Sequence, residues 1–172
     1  METKKGFTLV ETIVSIALLT LAITGPLSVA TFALRSSSIS ENEIVAYNLV
    51  EEGLEYIKNK IDTNTFTSGA QWRDGLSECE SGNGCDIDAI SWAIISCPGG
   101  ICPVLRRSSL TGLYTHAAAS ADNTDTIFTR RILLDNVPGA GNDEQELAVT
   151  ISWPERDSTH SFTITSHVFK RR

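Results

Sequence analysis

Positive charge is scarce in this chain: 14 lysines and arginines stand against 21 aspartates and glutamates, for a net charge of −7. Such a balance argues against nonspecific binding of nucleic acid, whose phosphates need a basic surface, although a local patch or a partner would still serve. Histidine is as sparse. His116, His160 and His167 are scattered, with no nucleophile elbow, phosphate loop or metal-ligand spacing around them, so catalysis is not expected. Internal repeats and low-complexity tracts are absent, which removes repeat architectures from consideration. Long hydrophobic runs are also missing, with one exception.

That exception follows the string Lys4-Lys5-Gly6-Phe7-Thr8-Leu9-Val10-Glu11, after which residues 12–34 are apolar and carry no charge. The run is long enough to cross about 30 Å of hydrocarbon. No small-residue cleavage site of the secretory type follows it, so the helix is expected to stay attached. Lys4 and Lys5 precede it and predict a cytoplasmic N-terminus, with everything beyond about residue 35 on the outer side. Gly25-Pro26 is expected to loosen or kink the helix. One acid, Glu11, lies inside the otherwise membrane-like segment 7–34. A carboxylate toward the centre of a bilayer helix costs about 2.5–3.5 kcal/mol, so it needs a positive partner. If the chain is cut after Gly6, Phe7 becomes an N-terminus whose ammonium lies one helical turn from Glu11.

The same string resembles the cleavage and methylation signal of type IV prepilins and type II secretion pseudopilins. The resemblance implies that a prepilin peptidase cuts between Gly6 and Phe7 and N-methylates Phe7. It also implies that Glu11 pairs in trans with the N-terminal amine of a neighbouring pilin or pseudopilin subunit during assembly. The remaining implied partners are an inner-membrane assembly platform and, before assembly, the lipid bilayer. The implied protein is a single-pass protein of the inner (cytoplasmic) membrane that later enters a pilus or pseudopilus. Residues 1–6 then form the leader, with Lys4 and Lys5 as its charges, and 7–34 the transmembrane and assembly helix.

From residue 35 to 64 the helix is expected to continue in amphipathic form. Val50, Leu54, Ile57 and Ile61 follow at steps of four, three and four, with Glu51, Glu52, Glu55, Lys58 and Lys60 between them. Asn64 or the stretch after it is the expected stop. The segment 46–55 also resembles the corresponding helix of many minor pilins. Residues 65–125 read as an irregular region rich in Ser, Gly, Asp and Asn, with short strand candidates at 90–95 and at Leu113-Tyr114. It holds Cys79, Cys85, Cys97 and Cys102, an even count on the side predicted to be exported, which favours two disulfides. Cys79 with Cys85 and Cys97 with Cys102 is the favoured pairing, although the sequence does not choose among three connectivities. Zinc is less favoured, because no gap is a two-residue spacer and His116 is isolated.

Residues 126–172 read as antiparallel sheet, with strands over 126–135, 145–153 and 161–170. Leu147, Val149, Ile151 and Trp153 alternate with polar or small residues, and Phe162, Ile164 and Val168 repeat the pattern. The expected fold class is α+β, a long N-terminal helix packed on a C-terminal antiparallel sheet, which is also what the pilin resemblance implies. No cofactor is expected. The acidic segments 122–125 and 135–146 leave calcium as a weaker alternative, since neither matches a calcium-loop pattern. Arg130-Arg131 and Lys170-Arg171-Arg172 read as strand-edge and tail charges. The expected function is that of a structural minor pilin or pseudopilin. A tip adhesin, a DNA-binding tip subunit and a membrane-anchored enzyme are the other classes, and the pilus, secretion and competence settings are not told apart.

Overall fold

A computed structural model describes residues 6, 8–80, 82–139, 141–155 and 158–170. The chain divides into two compact units, residues 1–44 and 45–172. Helix α1, Leu9–Phe66, contributes its first part to one and its last part to the other.

In the first unit the helical residues 9–44 extend over about 54 Å at 1.5 Å per residue. None of its described residues is buried. Leu9, Val10, Ile13, Val14, Ile16, Leu18, Leu19 and Leu21 are all at least half exposed. So much contiguous apolar surface is not left facing water in a soluble monomer; it marks a membrane or protein contact. Pro26 lies inside the helix without ending it. Its missing N–H leaves the Ala22 carbonyl without the usual helical donor, a defect that neighbouring helices in a membrane tolerate. The polar side chains solve their own desolvation problem. Thr12, Ser15, Thr20, Thr24, Ser28 and Thr31 each donate their hydroxyl to a carbonyl three or four residues back, at 2.7–2.9 Å.

The second unit is α+β. The last part of α1 packs against a five-stranded antiparallel sheet of order β2-β1-β6-β7-β8. Its strands are β1 Cys85–Asp88, β2 Ala93–Ser96, β6 Thr129–Asn136, β7 Glu144–Glu155 and β8 Ser158–Phe169. A second sheet of order β4-β3-β5 comprises β3 Arg106–Ser108, β4 Tyr114–Thr115 and β5 Asn123–Asp125. A one-turn helix α2, Ser77–Glu80, precedes β1.

Val50, Leu54, Ile57 and Ile61 are all buried, joined by Ala46 and Leu49 on the same stripe. They meet Ile132, Leu134, Leu147, Val149, Ile151 and Trp153 from one face of the sheet, where β7 alternates buried and less buried positions as its sequence requires. Each large apolar side chain buried here contributes roughly 1.5–3 kcal/mol. Gly53 marks the closest approach of helix to sheet: a Cβ there would lie 3.2 Å from Val149 Cγ1 and 3.3 Å from Arg130 Cδ. Pro154 sits in β7 beyond Ser152, the last residue registered with β6, so its lack of an N–H breaks no ladder to that strand.

Two sequence expectations change. Residues 65–125 are not merely irregular, because β1 and β2 extend the main sheet and β3 to β5 form the second one. The strand candidate at 90–95 begins only at Ala93, since Asp88 turns the chain at Ile90 and Ser91. The helix ends at Phe66, at the stop expected in the stretch after Asn64, and the Asn64 side chain donates to the Asp74 carbonyl at 2.8 Å and ties down the following loop.

Candidate functional site

At the start of α1, Thr8 is the cap. Its Oγ1 accepts the Glu11 backbone N–H at 3.3 Å, and its carbonyl accepts that of Thr12 at 3.2 Å. Glu11 is thereby placed in the first turn, where unsatisfied N–H groups and the helix dipole favour a carboxylate. The Thr8-x-x-Glu11 spacing is the pattern of a capping box, a signal the sequence reading passed over. Among the described residues no cation is in ion-pair contact with Glu11. Gly6 is exposed, and a side chain there would meet nothing within 4 Å. Packing among the described residues therefore gives no reason for glycine at this position. Lys4, Lys5 and Phe7 lie outside the described residues.

Residues 1–25 match the sequence family described as the prokaryotic N-terminal methylation motif. The chain carries the signal of type IV pilins and pseudopilins. No curated protein and no solved structure matches it. With such a signal come processing by a prepilin peptidase and association with other pilin subunits. An apolar helix beginning at this motif fits a membrane-anchored, single-pass protein.

The four cysteines lie in the second unit, joined as Cys79–Cys85 and Cys97–Cys102. Closing loops this short stabilises the fold by about 2 kcal/mol each on chain-entropy grounds. The first bridge fastens α2 to β1. The second closes the loop after β2, with both sulfurs buried.

Between helix and sheets lies a polar cluster that the sequence reading missed. Arg130, expected at a strand edge, is 1% exposed. Its Nε donates to Asp86 Oδ1 at 2.6 Å, Nη1 to Glu52 Oε2 at 2.7 Å and to the Leu49 carbonyl at 2.9 Å, and Nη2 to the Ile87 carbonyl at 2.9 Å. Burial alone would lower its pKa, but the neighbouring Asp86 and then Glu52 outweigh it, and the guanidinium is held above its ordinary value. Asp86, fully buried, also bonds His116 Nε2 at 2.7 Å. His116 is thus not isolated: it ties the end of β4 to Asp86 of the main sheet. The local signal for Arg130 was phase: it falls in step with Phe128, Ile132 and Leu134, all buried.

Asp88 completes the junction. Its Oδ2 accepts the Thr115 hydroxyl and the His116 N–H, both at 2.7 Å, and its Oδ1 the N–H groups of Ile90 and Ser91, both at 2.9 Å. Burial pushes its pKa up, but these donors, led by Ser91 and His116, outweigh it and bring it down to about 2. In the unfolded chain the group titrates near 3.9. The stability it contributes is therefore complete above about pH 4 and is lost as pH falls toward 2. Asp88→Asn is expected to lower stability at pH 7 by about 1.5 kcal/mol once partial solvent screening is allowed for. Urea midpoints of the two proteins should draw together as pH falls from 4 and converge only below about pH 2; a gap of constant size across that range would contradict the assignment.

Proposed function

We propose that this protein is a structural subunit, a minor pilin or pseudopilin, of a type IV pilus-like filament. A prepilin peptidase removes residues 1–6 by cutting between Gly6 and Phe7 and methylates the new amine. Before assembly the helix holds the subunit in the inner membrane with its N-terminus in the cytoplasm and the second unit exported. Its work is assembly and not turnover. In the filament Glu11 takes the Phe7 amine of a neighbouring protomer as its counter-ion. The reading is carried by one observation: a match to the methylation motif over residues 1–25 opens a helix whose apolar surface is exposed from Leu9 onward, with a carboxylate in its first turn.

The test is maturation. Produced together with a prepilin peptidase, the wild-type chain should shorten to a methylated Phe7 start by mass spectrometry. Gly6→Leu should remain at full length, because the position is open in the fold and only an enzyme's cleft would reject the side chain. A wild-type protein that keeps Met1, or a Gly6→Leu variant that matures normally, overturns the reading.

A further inference from the structure

Trp92 is held in a conformation that a bulky residue avoids. Its φ is 60°, the only positive value among described residues other than glycine, in a region that disfavours L side chains by roughly 1–2 kcal/mol. Asp88 enforces it. The Asp88 carbonyl accepts the Trp92 N–H at 2.8 Å, its carboxylate accepts the N–H groups of Ile90 and Ser91, two of the three residues between, and Tyr56 Oη donates to the Trp92 carbonyl at 2.6 Å. The result is an indole that is 66% exposed and stacked on Tyr56 at 5.5 Å between ring centroids. Core packing does not account for an aromatic left in water at a conformational cost.

Trp92, Tyr56 and Ala89 line a groove of about 370 Å³. Glu51 and Glu55 line the same groove from α1. These two carboxylates lie one turn apart, an arrangement that destabilises a helix by a few tenths of a kcal/mol unless a cation joins them. Among the described residues no cation is in ion-pair contact with either, and Glu52 beside them is already committed to Arg130. The Glu51 carboxylate raises the pKa of the neighbouring Tyr47 phenol, chiefly as its acceptor and then by its charge.

We infer that this groove receives an arginine side chain from a partner polypeptide, the guanidinium stacked on Trp92 and bridging Glu51 and Glu55. Three features favour arginine. A planar guanidinium stacks on an indole face, its N–H groups fork to carboxylates, and its methylene stem suits apolar walls. An ammonium ion offers no such plane, and a neutral side chain leaves the paired carboxylates unanswered. The inference stands on the second unit alone, so it survives or fails independently of the filament reading.

The experiment uses the full chain in detergent micelles, with ¹⁵N-labelled tryptophan and N-acetyl-argininamide as the probe. Three indole N–H signals report, and only Trp92 is exposed, since Trp72 and Trp153 are 7% and 3% exposed. The Trp92 signal should shift saturably while the other two stay in place. Glu51→Gln and Glu55→Gln should each weaken binding about five-fold, and the neutral isostere N-acetyl-citrullinamide should bind at least as poorly as the probe does to the double variant. Trp92→Gly relieves the backbone conformation, so it should fold, keep the two buried indole signals, and lose tryptophan-dependent recognition of the probe measured by calorimetry. An absent or non-saturating shift overturns the inference. So does equal binding of citrullinamide, N-acetyl-lysinamide or tetramethylammonium, or an undiminished affinity in the two Gln variants.

Discussion

Arg130→Met is expected to destabilise the second unit by about 3–5 kcal/mol, a large part of the 5–15 kcal/mol that holds a typical domain together. The reason is what it leaves behind. Asp86 is fully buried and loses its 2.6 Å donor, and the Leu49 and Ile87 carbonyls lose theirs as well. Glu52 loses little, because it is about a third exposed and can turn to water. Removing the stranded charge as well, in Arg130→Met with Asp86→Asn, should recover part of the loss, a coupling of more than about 1 kcal/mol. Arg130→Lys keeps the charge but cannot reach four acceptors from one ammonium, so it should fall between wild type and Met. Urea unfolding followed through the buried Trp72 and Trp153 measures all four proteins. A loss below about 1 kcal/mol for Arg130→Met would mean that the cluster is not what joins helix to sheet.

Glu11→Gln is expected to leave the precursor cleaved and in the membrane yet reduce filament at least tenfold. An ion pair at about 4 Å is worth roughly 4 kcal/mol at an effective dielectric of 20, enough to offset the burial of the carboxylate in an apolar segment. The neutral amide keeps the shape and loses that attraction. Because Glu11 also sits in the first helical turn behind Thr8, a control is needed for capping. Thr8→Ala removes the 3.3 Å capping bond and about 1 kcal/mol of helix stability, with the charge intact. Sheared-filament yield should fall far more for Glu11→Gln than for Thr8→Ala. Equal yields from wild type and Glu11→Gln would show that no counter-ion in a neighbouring subunit depends on the acid.

Which parts could be read in advance follows from the range over which each signal acts. The stripe Val50, Leu54, Ile57 and Ile61 is periodic within one helix, and Leu147 to Trp153 alternate within one strand, so both were legible. β1 was not, because its four residues are Cys-Asp-Ile-Asp and all are buried, leaving no alternation to detect. Arg130 looked like an edge charge because its partner Asp86 is 44 residues away. His116 looked isolated for the same reason, with Asp86 30 residues distant. Trp92 carried no local mark at all, since its conformation is imposed by Asp88 and Tyr56.

The sequence alone determined the chemistry that is local and contiguous: the methylation motif, the acid set in an apolar run, the helical stripe and the paired strand patterns. Tertiary structure decided where charge goes inside the second unit. A buried guanidinium is tolerable only when carboxylates and carbonyls from distant segments converge on it, and that convergence exists only once helix and sheets have packed.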